Sequence, residues 1–262
     1  MLLAIDIGNT QTALGLYQGL RADHPERTWR LATYKQDAVD DIAIKLRCLV
    51  EGAGVDASKV RSAALASVVP ALTRSWSQAV HDLGGAPVSV CTAEAAAAAG
   101  LFRTDYPNPR EIGADRVADA VAARALYGAP VVVVDFGTAT NIEVIGADGL
   151  FKGGIIAPGV ETGASALFAH ATRLAAVDLR APEAVIGTSS AEAMRSGILL
   201  GEAARVDGLV ERIFDQMGHR APVVATGGLA PLIAPHARTV TAVMPELTLE
   251  GLRRLAEATS AA

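Results

Sequence analysis

Two aspartates that each begin a tight glycine turn are the residues best suited to chemistry in this chain. Asp6 opens the stretch DIGNT and Asp135 opens the stretch DFGTAT, and each follows a short apolar run. A turn of this kind between two strands places a carboxylate beside backbone N–H groups and hydroxyls, which are groups that bind polyphosphates and their cations. An ordinary β-hairpin with a glycine turn is the competing interpretation of either stretch alone.

The two acidic turns belong to longer segments that resemble each other. Residues 2–20 read LLAIDIGNTQTALGLYQGL and residues 132–150 read VVVDFGTATNIEVIGADGL, half a chain apart. Repetition over this distance predicts a duplicated domain and favours the phosphate-binding interpretation over two unrelated hairpins. We expect Asp6 to hold Mg²⁺ through water. A further glycine turn, Thr226-Gly227-Gly228, follows another predicted strand and is a weaker candidate for contact with a nucleoside.

A third acidic residue, Asp115, lies in the segment Gly113-Ala114-Asp115-Arg116, just before a predicted helix. One interpretation is structural, because a negative charge in the first turn of a helix stabilises the helix dipole. The other is catalytic, because a carboxylate there can orient a hydroxyl proton while Arg116 binds an anionic group. Tyr106 either closes the same pocket or packs as an ordinary aromatic side chain.

Two serines precede a later predicted helix and have two possible uses. The order Ser189-Ser190-Ala191-Glu192 fits a capping box, in which a serine hydroxyl and a glutamate satisfy the backbone at the start of a helix. At least one of the two hydroxyls is therefore expected to cap the helix. The other stays available for a ligand.

The elements that position these residues alternate between strand and helix in both halves. Each half begins with three short β-type runs around its acidic turn and continues with helices and further strands, which predicts an α/β fold with helices packed on central sheets. Proline and glycine between residues 105 and 113 interrupt regular structure, so we expect domains over residues 1–112 and 113–262. An amphipathic pattern near the end predicts a terminal helix whose packing partner is left open.

Composition excludes several classes of protein. The chain of 262 residues is 51% apolar, which is ample for two cores, and its net charge of −5 comes without a basic patch for nucleic acid. We expect no membrane partner, since no apolar stretch is long enough to span a bilayer, and the N-terminus lacks the pattern of a signal peptide. Cys48 and Cys91 are predicted to be reduced core residues of a cytoplasmic protein.

Taken together, these motifs resemble the type III pantothenate kinases of bacteria, members of the actin-like superfamily that includes acetate and sugar kinases and Hsp70-type ATPases. The resemblance rests on the order and spacing of the stretches LLAIDIGNT, YPNPREIGADR, VVVVDFGTAT, GGIIAPG and ATGGLAPLIAP. It implies two duplicated RNase H-like lobes, each a mixed sheet flanked by helices, with a cleft between them. The phosphate-binding loop would lie in the first lobe, and the catalytic aspartate, cation site and nucleotide contacts in the second.

The resemblance also implies the activity, which is phosphorylation of pantothenate by ATP to 4'-phosphopantothenate, the first step of coenzyme A biosynthesis. The transfer would be in line, with ATP bound together with Mg²⁺ and with a monovalent cation, K⁺ or NH₄⁺. Members are homodimers in which the substrate pocket lies near the interface. Two alternatives stay open, namely another small-molecule kinase or phosphatase of the superfamily and a non-catalytic ATP-binding regulator. The presence of Asp115 favours an enzyme.

Site residues are carried over from the resemblance at the positions that match its motifs. The general base is matched by Asp115 and the ligand of the monovalent cation by Asp135. The ATP-binding positions are Asp6, Ile7, Gly8, Asn9, Thr10, Thr12 and Thr138. The pantothenate-binding positions are Tyr106, Gly113, Ala114, Asp115, Arg116 and Ser190, the last contributed by the neighbouring subunit. Departures from the family pattern are Ser190 for a threonine, Thr188 for a lysine, and Asn141 and Glu143 after the DFGTAT motif.

Overall fold

The computed structural model describes residues 1–170 and 176–260, and it forms two compact units. The first unit comprises Met1–Ala125 together with Leu247–Ala262, and the second comprises Leu126–Glu246. Each unit contains a five-stranded mixed sheet flanked by helices. The predicted α/β class, with a duplicated central sheet, is therefore confirmed.

The first unit is built around a sheet whose strands lie in the order β3-β2-β1-β4-β5. Their bounds are Leu2–Ile7 for β1, Gln11–Tyr17 for β2, Arg27–Ala32 for β3, Ser62–Ser67 for β4 and Val88–Val90 for β5. The first strand pairs antiparallel with β2 and parallel with β4. Because β1, β4 and β5 run in the same direction, their carboxyl ends meet at one edge of the sheet.

The second unit repeats this topology in the order β10-β9-β6-β7-β8. The strands are β6 at Val131–Phe136, β7 at Ala139–Ile145, β8 at Phe151–Pro158, β9 at Val223–Thr226 and β10 at Ala242–Val243. The strand β6 pairs antiparallel with β7 and parallel with β9, as β1 does with β2 and β4. Burial along β6 also matches burial along β1, with the fifth residue half-buried between buried neighbours. The structure thus bears out the duplication.

Helices cover the sheets. In the first unit they are α1 (Val39–Gly52), α2 (Pro70–Gly84), α3 (Ala93–Ala98), α4 (Ala114–Tyr127) and, at the end of the chain, α9 (Leu247–Ser260). In the second unit they are α5 (Val160–His170), α6 (Ser190–Arg195), α7 (Gly201–Met217) and α8 (Ala230–Ile233). A π-helical turn over Ser196–Leu200 joins α6 to α7, so residues 190–217 are helical throughout, as the helix predicted after the two serines requires.

The terminal helix settles the question that its sequence leaves open, because α9 packs against β1 and β4 of the first unit. Its contact with α4 is very close at Gly251, where an added Cβ would lie 2.5 Å from the carbonyl carbon of Ala118. The hydroxyl of Thr248 also donates to the Asp119 carboxylate at 2.7 Å. The first unit is therefore completed by the end of the chain, and most of α4 belongs to it. The predicted division between residues 112 and 113 stays a prediction, and the contacts of α4 and α9 place the boundary of the first compact unit after Ala125.

The two cysteines differ in their surroundings. Cys91 is buried as predicted, whereas Cys48 is exposed, which corrects the expectation that it is a core residue. The buried face of α1 is formed by Ile42, Leu46 and Val50, and the helical period turns Cys48 away from it. Within the described residues, the helices are too short or too polar to cross a membrane.

Candidate active site

The first cluster of candidate residues lies where β1, β4 and β5 end. Asp6 is the second-to-last residue of β1 and is half-buried, and the chain then turns tightly, with the N–H of Gly8 donating to the carbonyl of Gln11 at 3.0 Å. A side chain at Gly8 would meet that same carbonyl at 2.8 Å, so only glycine fits the turn. Asn9 and Thr10 are exposed at its tip. Ligands of open α/β sheets bind outside the carboxyl ends of strands, which is where this turn lies.

Asp115 lies in the first turn of α4, and its carboxylate is held by the backbone around it. The N–H of Arg116 donates to Asp115 Oδ1 at 2.8 Å. A Cβ added to Gly113 would lie 2.5 Å from the same oxygen, so the carboxylate folds back into the space that glycine leaves open. The next neighbour of that position is Val68, the residue that follows β4. Because glycine has no Cβ, Gly113 leaves room for the Asp115 carboxylate in this position.

The environment of Asp115 alters its proton affinity. Burial raises the pKa of the Asp115 carboxyl above its ordinary value, and the N–H and positive charge of Arg116 oppose this rise without cancelling it. The side chain keeps part of its surface exposed, and Arg116 itself is buried. An ordinary helix-start aspartate is solvated and has no reason for a raised pKa. Asp115 thus differs from a solvated aspartate at a helix start, and its role as a base stays a prediction.

Cys91 is buried beneath the start of α4, within electrostatic reach of both Asp6 and Asp115. Its thiol lies beneath the start of α4 and donates to the carbonyl of Ala114 at 3.5 Å. Burial first, and then the negative charges of Asp115, Asp6 and Asp119, raise the pKa of this thiol to about 12. The charges of the predicted base, Asp115, and of the predicted phosphate-loop residue, Asp6, thus both raise the pKa of the Cys91 thiol. Sequence reasoning treated Cys91 only as a core residue, and its position directly after a strand was the signal that it lies at this edge.

The other predicted residues of the first unit are placed differently from one another. Thr12 is 1% exposed, and its hydroxyl is hydrogen-bonded to the hydroxyl of Thr33 at 2.9 Å. Ile7 is fully buried in the core. Tyr106 is half-buried in the loop before α4, where its backbone N–H donates to Thr104 Oγ1 at 2.9 Å. Asn9 and Thr10 are therefore accessible at the turn, whereas Ile7 and Thr12 are buried.

The second unit holds the equivalent turn. Asp135 is the second-to-last residue of β6 and is half-buried, and its carboxylate lies against Gly137 and Gly227. Thr138 is exposed, and its carbonyl accepts hydrogen bonds from the hydroxyl of Thr162 at 2.7 Å and from the N–H of Gly159 at 3.1 Å. These bonds tie the turn to the start of α5.

The two serines before α6 differ in their position at the start of the helix. Ser189 is the N-cap, and its hydroxyl accepts the N–H of Glu192 at 3.2 Å, which confirms the predicted cap. Ser190 is the first residue of the helix and is exposed. Its hydroxyl is therefore not the one that the cap requires.

Comparison with known proteins identifies the family of this chain. A family model described as type III pantothenate kinase matches residues 2–212. A type III pantothenate kinase from Desulfosudis oleivorans is 44% identical over 97% of both chains. One from Thermomicrobium roseum is 45% identical over 97% of this chain and 95% of its own.

Solved structures show the same fold at low sequence identity. A protein described as a Baf family transcriptional activator from Campylobacter jejuni aligns with a TM-score of 0.62 and 17% identity, covering 99% of this chain and all of its own. The activator of 2-hydroxyisocaproyl-CoA dehydratase from Clostridium difficile, with bound ADPNP, aligns with a TM-score of 0.57 and 12% identity, covering 99% and 96%. With the matched family model and relatives above 40% identity along nearly the whole length, the chain belongs to the type III pantothenate kinase family, which phosphorylates pantothenate in coenzyme A biosynthesis.

Proposed function

We propose that Asp115 is the general base of pantothenate phosphorylation. The observation that carries this proposal is a half-buried carboxylate with a raised pKa at the carboxyl ends of the strands. An aspartate with an ordinary pKa of about 3.9 is a weak base for an alcohol, and a raised pKa brings it closer to the range of a working base. Asp115 orients the primary hydroxyl of pantothenate and takes its proton late, as the oxygen attacks the γ-phosphate of ATP.

The residues around Asp115 are proposed to hold pantothenate. Gly113 and Ala114 would form the approach to the base, and Tyr106, half-buried in the loop before α4, would contact pantothenate as the resemblance implies. Arg116 is 8% exposed, so its charge is more effective than that of a solvated arginine and suits the carboxylate of pantothenate or a phosphate oxygen. Positioning of the hydroxyl and stabilisation of charge then supply most of the rate enhancement.

ATP phosphates are proposed to bind the turn that follows β1. The family acts with ATP and a divalent metal, and Asp6 fits the metal because one or two carboxylates with waters and phosphate oxygens are the usual ligands of Mg²⁺. Bound Mg²⁺ neutralises phosphate charge. Asn9 and Thr10 donate hydrogen bonds from the exposed tip. Thr138 is proposed as a nucleotide contact on the resemblance alone. Thr12 supports the turn through its bond to Thr33.

Asp135 is proposed to hold a monovalent cation, K⁺ or NH₄⁺. Its carboxylate is half-buried and lies against the backbone of Gly137 and Gly227, where an oxygen-rich site with little room for water can form. A bound monovalent cation would supply positive charge at this turn. Potassium prefers several oxygen ligands that replace its hydration shell, which such a backbone-lined position can provide.

A homodimer is proposed on the resemblance and on one surface feature. Val185 and Ile186 are 76% and 83% exposed, close in sequence to the exposed Ser190. Adjacent exposed apolar side chains are uncommon on a monomer's surface and fit an interface between two copies. Ser190 of one subunit would then contact pantothenate bound to its partner.

Gly113→Ala is expected to lower kcat by roughly ten- to hundredfold, because the added methyl displaces the Asp115 carboxylate by a fraction of an ångström to an ångström. The oxygen that it meets is the end of a side chain, so the fold can accommodate the change and the unfolding midpoint should move little. Steady-state kinetics and thermal unfolding measure both effects. Gly52→Ala is the matched control, because nothing lies within 4 Å of its added Cβ. Normal turnover in Gly113→Ala would show that the carboxylate position does not matter.

The experiment that tests the proposed function is ATP-dependent phosphorylation of pantothenate with Mg²⁺ in K⁺, NH₄⁺ or Na⁺. We expect turnover that is several-fold faster in K⁺ or NH₄⁺ and that becomes insensitive to the cation in Asp135→Asn. Equal rates in all three salts would refute the role of Asp135 and leave that of Asp115 untouched. Light scattering on the same preparation reports whether two chains associate, and a monomeric mass at assay concentration would refute the dimer.

A further inference from the structure

The two duplicated aspartates occupy equivalent positions but have different neighbours. In the first unit, Asp6 lies beside Ala13 on the antiparallel strand and beside Ala66 on the parallel strand. In the second unit, the same two positions beside Asp135 are Asn141 and Thr226. Directly paired residues have their side chains on the same face of a sheet. The second unit therefore places an amide and a hydroxyl where the first unit has only methyl groups.

Thr226 is buried on that face without a hydrogen-bond partner. It is 0% exposed, and its hydroxyl oxygen makes no hydrogen bond within the described part of the chain. Its strand neighbours Val223 and Ala225 point into the core of the second unit, so alternation turns Thr226 to the opposite face, together with Asp135. A buried hydroxyl left unsatisfied is destabilising, and a bound water or ion is a common explanation for such a group in a native structure.

The backbone brings the Asp135 carboxylate to the end of the strand that carries Thr226. Gly227 follows Thr226 with a φ of 89°, in the left-handed region. A Cβ there would clash with Asp135 Oδ1 and would lie 2.7 Å from the carbonyl oxygen of Phe136. Only glycine allows this approach. The Asp135 carboxylate therefore lies next to the end of β9, so an ion bound to it would also be near Thr226.

The chemistry of this row suits a monovalent cation. Asp135 supplies one negative charge, and Thr226 and Asn141 supply neutral oxygens on either side of it in register. Glu143 is buried on the same face of β7, two residues from Asn141, and adds a second carboxylate near this row. Hydroxyl and carbonyl oxygens beside a carboxylate match an ion such as K⁺, which exchanges its water for such ligands. Asp6 lies between two alanines at the corresponding positions, so the strand register places no side-chain oxygen beside it there. The turn at Asp135 thus has side-chain oxygens suited to a monovalent cation, and the turn at Asp6, proposed for Mg²⁺, has alanines in their place.

We infer that Thr226 is a ligand of the cation at Asp135, with Asn141 on the opposite side of the same carboxylate. This inference rests on the proposed cation site and adds to it the residues that make the site selective for a large monovalent ion. It also gives the turn after β9 a role in cation binding in place of the nucleoside contact that its sequence suggests.

The test is the thermal unfolding midpoint measured across a titration of KCl against choline chloride at constant ionic strength, with Mg²⁺ and a non-hydrolysable ATP analogue present throughout. A ligand that binds the folded state raises the midpoint as its concentration passes its Kd. We expect the wild-type midpoint to rise with K⁺. Thr226→Val should need roughly tenfold more K⁺ for the same rise, because the isosteric change removes only the oxygen. In choline, Thr226→Val should be at least as stable as wild type, since it removes an unsatisfied hydroxyl.

Three further variants separate the possible outcomes. Thr226→Ser keeps the hydroxyl and should keep the wild-type K⁺ dependence, although its lost methyl group lowers the midpoint in every salt. Asp135→Asn should abolish the K⁺ response. If Thr226→Val responds to K⁺ as wild type does, while Asp135→Asn does not respond, the cation site stands and Thr226 is not its ligand. If the wild type itself shows no response to K⁺, the proposed cation site fails and this inference with it. Should Thr226→Val not fold, Thr226→Ala provides the same comparison, because it also lacks the oxygen and needs no extra space.

Discussion

Asp115→Asn is expected to lower kcat for pantothenate phosphorylation by roughly 10²–10⁴-fold, the usual contribution of a positioned base. Asparagine has nearly the shape of aspartate, and its side-chain oxygen can still accept the N–H of Arg116 that now holds Asp115 Oδ1. The change therefore removes the proton acceptor and leaves the geometry in place. Initial rates at saturating ATP and pantothenate measure the effect.

The same substitution is expected to stabilise the fold at neutral pH. Burial raises the pKa of Asp115 in the folded protein, so the folded state binds this proton more tightly than the unfolded state does. Between the ordinary and the raised pKa, stability falls as the pH rises, and above the raised pKa the cost is fully present. Asparagine carries no charge and has no such cost. The unfolding midpoint of Asp115→Asn should exceed that of wild type at pH 7, and the gap should close as the pH falls toward the ordinary value of 3.8.

Asp40→Asn is the matched control for Asp115→Asn. Asp40 is also an aspartate in the first turn of a helix, but it is exposed at the start of α1. Its replacement should leave kcat unchanged and slightly lower stability, because a solvated charge there only favours the helix dipole. Near-normal turnover in Asp115→Asn would remove this residue from the mechanism. A loss of stability like that of Asp40→Asn would mean that its charge serves the helix.

Gly251→Ala is expected to destabilise the protein by about 1–3 kcal/mol or more, because it forces apart two helices in close contact. The added Cβ would clash with the carbonyl oxygen of Ala118 and lie 2.9 Å from Ala118 Cα, and backbone atoms of a helix cannot rotate away. Since α4 also carries Asp115, a shift of this helix should lower kcat as well. Urea unfolding and steady-state kinetics on the same preparation measure the two effects.

Gly208→Ala provides the opposite expectation in another helix. Gly208 is exposed on α7 and has nothing within 4 Å of an added Cβ. Alanine there should stabilise by about 0.5–1 kcal/mol, because glycine is a poor helix former. Equal stabilities of Gly251→Ala and Gly208→Ala would show that α9 can slide on α4 without cost, contrary to the packing described above.

Local sequence was sufficient to predict the strands and turns that carry the two duplicated aspartates. An apolar run that ends in an acid and a glycine turn has few alternatives, and the second copy removed most of them. The capping role of Ser189 was predictable for the same reason, because a cap depends on residues three positions apart. The helical period of α1 also contained the information that Cys48 faces outward, although the residue type alone suggested burial.

Features that depend on distant residues could not be read from the sequence. The raised pKa of Asp115 comes from burial at an edge where β1, β4 and β5 converge, which no local pattern reports. The packing of α9 on the first unit depends on Gly251, which lies against the backbone of α4 at Ala118. A glycine within a helical sequence does not by itself predict such a contact. Asn141 and Thr226 lie beside Asp135 only because of the register in which β7 and β9 pair with β6. That register is set by contacts between distant parts of the chain.

The return of α9 also dictates the order in which the molecule can mature during synthesis. Residues 126–246 form a continuous stretch and can condense as soon as they have left the ribosome. The first sheet is completed later, because the helix that covers β1 and β4 is translated after residues 126–246. Synthesis of the first unit therefore begins before that of the second, but its folding is completed after it. Nascent chains halted shortly before residue 247 should present a folded later unit beside an incomplete earlier one, which would be the portion that chaperones and proteases recognise.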